Sequence, residues 1–167
     1  MGKADAVTID FMKKEDIDQV LAIEQASFTM PWSRNLFLSE FRSPRVSSLM
    51  VALAEGTVRK VSGFIVFWTV EDEMHILNLA VAPQFRRQGI ARKLVLSALS
   101  RARSKGAKRA FLEVRASNTA AQKLYSNLGF TGVAIRRAYY DTPVEDAVVM
   151  AIERSAFENL VKGLQKS

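Results

Sequence analysis

The chain has no cysteine and a single histidine in 167 residues. Without thiols there is no disulfide framework, no thiolate zinc site and no thiol nucleophile, and no metal centre is expected. No apolar run approaches the length that spans a bilayer. The N-terminus M-G-K-A-D-A-V lacks the apolar stretch of a signal peptide, and Ala6 stands where the myristoylation pattern needs Ser or Thr. Each of these fits a cytoplasmic protein with no membrane role. Glycine (8) and proline (4) are scattered, and no repeat, low-complexity tract or linker divides the chain. Residues 1–167 therefore read as one domain. Acidic residues are in the minority, 17 against 24 Lys and Arg, giving a net charge of +7. That excess calls for an anionic partner, a phosphorylated ligand or nucleic acid or both. What is present, 49% hydrophobic and 25% charged residues, is ordinary for a globular domain able to bury its own core.

Periodicity divides the chain into alternating elements. Val7 to Phe11 reads as a strand, and Ile17, Val20, Leu21 and Phe28 mark a helical face. Ser33 can cap a second short helix carrying Leu36, Phe37 and Phe41. Ser48–Ala54 and Val61–Val70 read as a strand pair, and Met74–Val81 as a further strand. Ile90, Ala91, Leu94, Val95, Ala98, Leu99 and Ala102 give a long amphipathic helix ending near Gly106. The strand R-A-F-L-E-V follows, so strand, helix and strand predict a right-handed parallel crossover. Asn118 can cap another helix, with Ala121, Leu124, Tyr125 and Leu128 inside and Gly129 at its end. Val133–Tyr140 and Val144–Ile152 read as an antiparallel pair, and 154–165 as a last amphipathic helix. The class is mixed α/β.

The segment F-R-R-Q-G-I-A, Phe85 to Ala91, places two arginines at the mouth of the long helix, where the dipole is already positive. Free backbone N–H groups converge at such a mouth, and Gly89 lets a ligand approach closely. The spacing matches neither a nucleotide-hydrolysing P-loop nor a dinucleotide fingerprint. By itself the loop could equally be a solvated basic turn.

Further motifs decide its reading. R-R-Q-G-I-A resembles the R/Q-x-x-G-x-G/A signature of the GNAT family of N-acetyltransferases. The stretch L-E-V-R-A-S-N-T-A-A-Q-K-L-Y-S-N-L-G-F, with I-R-R-A-Y-Y, E-D-A-V-V-M and I-E-Q-A-S-F-T-M-P-W-S, resembles within that family the bacterial ribosomal-protein-alanine acetyltransferases. The resemblance covers about 7–152, with one departure at Ala91, where the family often has glycine. It implies a GNAT fold with a mixed central sheet and acetyl-coenzyme A as co-substrate. The pyrophosphate would lie on Arg86, Arg87, Gln88, Gly89, Ile90 and Ala91, and the pantetheine arm along the backbone of Leu79, Ala80 and Val81. Asn118 would touch the cofactor by the same likeness, although its spacing equally fits a plain helix cap.

Moving an acetyl group from a thioester to an amine requires a neutral amine, a stabilised oxyanion and a protonated leaving thiolate. An N-terminal amine, with a pKa of about 7.7–8.0, needs a far weaker base than a lysine at about 10.4. The family likeness assigns Glu113 as general base, through a water, and Tyr125 as general acid toward sulfur. Spacing alone would also allow a surface carboxylate and a core tyrosine. The backbone N–H of Val81 is the expected oxyanion donor. His75, alternating onto the face of Leu77 and Leu79, is a rival base or a core residue, and Glu24 is a weaker rival. Trp32, Tyr139 and Tyr140 can wall the acceptor site. Asp141, Glu145 and Asp146 form an acidic cluster that would favour a basic peptide. The resemblance implies acetylation of the N-terminal alanine of small-subunit ribosomal protein 18. Rival readings are the same chemistry on other N-termini, lysines or small amines. A further rival is an RNA- or ribosome-binding module using Arg92, Lys93, Arg101, Arg103, Lys105, Lys108 and Arg109. No direct nucleic-acid role is expected.

Overall fold

The structure, a computed structural model, describes residues 7–165. Strands β1 (Val7–Phe11), β2 (Ser47–Ala54), β3 (Lys60–Val70), β4 (Glu73–Val81), β5 (Arg109–Arg115), β6 (Thr131–Asp141) and β7 (Val144–Ile152) are joined by five helices. These are α1 (Ile17–Ser27), α2 (Arg34–Phe41), α3 (Ile90–Ser104), α4 (Thr119–Asn127) and α5 (Arg154–Leu164). Short 3-10 turns at Lys14–Asp16 and Pro83–Phe85 are the elements that periodicity does not reveal. The strand order is β1-β2-β3-β4-β5-β7-β6, a mixed α/β sheet of the expected class.

The fold comprises two compact units, one formed by the chain up to Trp68 with Asn78–Ala98, the other by Thr69–Leu77 with the chain from Leu99 onward. In the first, β1, β2 and β3 run antiparallel, from Val7↔Ala54 to Phe11↔Met50 and from Ser47↔Trp68 to Ala54↔Lys60. Ile17, Val20 and Ile23 give α1 its buried stripe. The Ser33 side chain accepts the Leu36 N–H and starts α2, whose Phe37 meets Phe64 edge-on at 5.6 Å. Arg59 ties the turn before α1 to β1. Its Nε and Nη2 donate to Asp16 at 2.8 and 2.9 Å and its Nη1 to Asp10 at 2.8 Å.

In the second unit β4 and β5 are parallel, from Glu73↔Arg109 to Ile76↔Leu112, the pairing a crossover through α3 requires. Antiparallel β7 joins the other edge of β5, and β6 pairs with β7. Alternation buries Ala110, Leu112 and Val114 and leaves Phe111, Glu113 and Arg115 together on the opposite face.

Helix α4 ends in a Schellman motif that seats Tyr125. Gly129 takes a φ of +99°, the Phe130 N–H donates to the Tyr125 carbonyl at 3.0 Å, and the Gly129 N–H to that of Ser126 at 3.0 Å. The apolar contact that accompanies this motif is between Tyr125 and Phe130, with ring centroids 5.5 Å apart. The helix stop thus fixes Tyr125.

Candidate active site

The first unit supplies an anion-shaped loop. Arg87 and Gly89 take left-handed φ angles of +60° and +78°, a backbone path that turns successive N–H groups inward. The first intrahelical bond of α3 runs from the Lys93 N–H to the Gly89 carbonyl. The N–H groups of Ile90, Ala91 and Arg92 therefore have no carbonyl to meet inside the helix. The two arginines are not equivalent. Arg86 folds back, donating through Nε to the Val81 carbonyl at 3.0 Å and through Nη2 to Ser27 Oγ at 3.1 Å. Arg87 is exposed and makes no ion pair among the described residues. Gln88 donates to the Gln84 carbonyl at 3.4 Å, bracing the turn. In β4, Leu79 and Val81 lie on the half-buried face and Ala80 on the buried one. All three are past the end of the parallel register at Ile76.

In the same unit Glu24 is fully buried. One carboxylate oxygen accepts the Trp32 backbone N–H at 2.8 Å and the other the Asn78 side-chain amide at 2.9 Å. Burial pushes its pKa up, against the two hydrogen bonds. The carboxylate thus anchors the loop that carries Trp32, whose ring lies 5.2 Å from Phe37. Asn78 was not among the residues singled out from sequence, although its polarity on the buried face of β4 is a signal that it has a partner.

The second unit holds the candidate base and acid, Glu113 and Tyr125. The parallel register sets His75 beside Phe111, and their rings stack at 4.3 Å. His75 Nε2 lies 2.6 Å from Glu113 Oε2. The two residues read from sequence as rival bases are therefore one hydrogen-bonded pair. Arg136 of β6 reaches the other oxygen, Nη2 to Oε1 at 3.5 Å. The Glu113 side chain is only 8% exposed. Burial pushes its pKa up, but the His75 hydrogen bond and the charges of His75 and Arg136 outweigh it and leave the pKa below the ordinary value.

Tyr125 is buried, and burial raises its phenol, with a smaller contribution from Tyr140. Tyr140 packs edge-on against Tyr139 at 5.0 Å and is pushed up to about 12, chiefly by burial, with Glu113 among the charges it feels. Asn118 caps α4, its side chain accepting the Ala121 N–H at 3.1 Å.

The acidic turn is less acidic than its composition suggests. Glu145 accepts the Ser117 N–H and meets Arg115 at 3.4 Å, while Asp146 pairs with Arg137 at 2.7 Å and accepts the Ala138 N–H at 2.9 Å. Asp141 is exposed and makes no ion pair among the described residues. Arg115, also missed in the sequence, lies over Tyr140 at 4.2 Å and donates to the carbonyls of Thr142 and Pro143. Its place two residues after Glu113 on one strand face was the available signal.

Comparisons with known proteins bear on the family and the fold. A model of the Acetyltransferase (GNAT) family matches residues 17–130. The ribosomal protein bS18-alanine N-acetyltransferase of Escherichia coli K12 is 36% identical over 147 residues, 87% of this chain and 96% of that protein. The enzyme of that name from Haemophilus ducreyi is 35% identical, over 86% and 98%. The crystal structure of the Escherichia coli ribosomal-protein-S18-alanine N-acetyltransferase superposes with a TM-score of 0.79 over 89% of this chain and 94% of that one. That of Ard1 from Thermoplasma volcanium, 32% identical, gives 0.80 over 89% and 97%. The chain belongs to the GNAT family of acetyltransferases.

Proposed function

We propose that the chain acetylates the α-amine of protein N-termini that begin with alanine, that of small-subunit ribosomal protein 18 first among them. This is the activity in the names of its relatives. GNAT enzymes draw the acyl group from acetyl-coenzyme A, whose thioester supplies the activated carbonyl carbon. The left-handed loop at Arg87 and Gly89 suits its pyrophosphate, with the N–H groups of Ile90 and Ala91 as donors and Arg87 as counter-charge. Arg86 serves there as a brace for the end of β4. The backbone groups of Leu79, Ala80 and Val81 are suited to an extended arm, with the Val81 N–H as donor to the developing oxyanion. The Asn118 cap leaves its amide N–H groups for a further contact.

Glu113, acting through a water, takes the last proton from an amine already partly neutral, which is work for a weak base. Its lowered pKa keeps it ionised, and His75 Nε2–H holds one oxygen so that the other can face the amine. Tyr125, raised by burial, remains protonated. It donates a hydrogen bond to the leaving sulfur and yields its proton only as negative charge builds there. Tyr139, Tyr140 and Asp141 of the second unit, and separately Trp32 of the first, are the acceptor-binding candidates in this reading. With no cysteine in the chain, transfer is direct within a ternary complex. The carrying observation is the buried Glu113 carboxylate, set 2.6 Å from His75. Residues 1–167 are one catalytic domain, since β4 and α3 each continue from one unit into the other. No helix among the described residues is long and apolar enough to cross a membrane, and a ribosomal-protein substrate sets the enzyme in the cytoplasm.

The test is mass spectrometry of peptides incubated with acetyl-coenzyme A. Peptides starting with alanine gain one acetyl group at the α-amine, and internal lysines stay free. Acetylation confined to lysines or to small amines would overturn the substrate assignment.

A further inference from the structure

Glu113 already holds a cation. Its Oε2 is taken by His75 at 2.6 Å and its Oε1 is approached by Arg136 at 3.5 Å. His75 is stacked on Phe111, whereas the Arg136 side chain is 53% exposed. Arg136 also lies 5.6 Å from the centre of the Tyr139 ring, a second perch for a guanidinium. Its place is set by an irregularity in β6. Arg136 pairs with Ala147 and Tyr140 with Glu145, so the stretch between them carries extra residues. Ala138 within it has a φ of +47°, and Asp146 accepts its N–H. The neighbouring Arg137 is directed to Asp146, leaving Arg136 alone of the pair at Glu113.

We propose that Arg136 is a specificity-determining residue that stands in for the substrate's ammonium group on Glu113 and is displaced by it. This rests on the α-amine reading above. With no peptide bound, a guanidinium that never loses its proton keeps the base ionised and its open oxygen covered. An arriving N-terminal ammonium, linked to that oxygen by the bridging water, gives it a better-directed hydrogen bond and turns Arg136 out toward Tyr139 and solvent. A neutral or poorly placed amine gains nothing that offsets the loss of the guanidinium. The other charged or titratable groups around Glu113 are His75 on β4, Arg115 on its own strand and Tyr140 on β6. The β7 residues paired with β5 between Ala147 and Ile152 carry no charge, and Glu145 of β7 is engaged by Arg115.

The experiment measures kcat/KM against pH for an alanine-first peptide with the full chain, its Arg136→Gln variant and its Arg136→Lys variant. Arg136→Gln moves the acid limb upward by about half a pH unit, as loss of a partly exposed charge partner requires. It lowers the peptide KM about threefold by removing the competitor, a larger change than that in kcat. Arg136→Lys keeps the wild-type limb. An unmoved limb together with an unmoved KM, or a KM that rises, overturns the proposal. A second readout does not depend on turnover. In the wild-type chain, added peptide shifts the Arg136 side-chain NMR signal, and a signal that stays fixed at saturating peptide also overturns it. Failure of the wild-type chain to acetylate the peptide would instead count against the α-amine reading, with the Arg136 signal still deciding displacement.

Discussion

Glu113 and Tyr125 would reach their proposed roles by opposite electrostatic routes. For Glu113, burial is outweighed by His75 and Arg136, so the acid stays ionised. A group whose folded pKa is depressed contributes stability above its unfolded value and loses it as pH falls through the folded one. The part of the activity that depends on ionised Glu113 should follow the same sign, being lost on the acid side of the ordinary carboxylate range. For Tyr125, burial prevails and the phenol is held neutral. Tyr125→Phe keeps the ring that packs on Phe130 and removes only the donor. It should lower kcat roughly tenfold to a hundredfold while leaving the thermal midpoint close to that of the wild type. Steady-state kinetics beside a melting curve checks both halves. The pairing of His75 with Glu113 was not legible in the sequence, because it depends on the parallel register of β4 and β5. Alternation placed each residue on its strand face but could not say which residues lie level.

At the scale of elements, the signals that proved sufficient are local ones. Ser33 and Asn118 are the caps their positions suggest, and the alternation of β4 and β5 reads directly as two faces. What the sequence concealed is the irregular part of β6, where a non-glycine residue, Ala138, adopts a positive φ. No local pattern announces it, since the conformation is held by Asp146 from the neighbouring strand. The stop of α4 is the most consequential local signal, since it seats Tyr125. At Gly129, with φ +99°, an added Cβ would find only ordinary contact, 3.5 Å from Ile152 Cδ1. Gly129→Ala therefore acts through the backbone, at a cost of about 1–2 kcal/mol. Urea unfolding should show that loss. Turnover should fall with it, as Tyr125 and Phe130 share the hydrogen-bonded turn. Full turnover in a destabilised variant would separate the helix stop from catalysis.

Across the whole molecule, the net charge of +7 is partly spent inside the chain. Lys93 donates to the Val7 carbonyl, Arg103 pairs with Glu158, and Arg109 pairs with Glu73 and Asp72. The run of cations along α3 and its exit is therefore less a continuous track for phosphates than composition suggests. The acidic turn is likewise balanced by Arg115 and Arg137, so under the proposed function attraction for a basic peptide would fall mainly to Asp141. Composition counts charges but cannot pair them across strands, which is why both patches looked stronger in the sequence. Fold class, element order and the loop at Gly89 were legible because they rest on neighbours in the chain. The surroundings of Glu113 were not, because they come from strands far apart in it. The central claim is that Glu113 is the base for acetylation of an α-amine. The most direct measurement compares kcat/KM of Glu113→Gln and His75→Ala with the wild type on an alanine-first peptide, with acetyl-coenzyme A affinity measured by calorimetry. Glu113→Gln should lose about a hundredfold or more in kcat/KM at unchanged cofactor affinity, and His75→Ala should lose much less. A Glu113→Gln enzyme that keeps its activity, or a His75→Ala enzyme that loses more, would contradict the account.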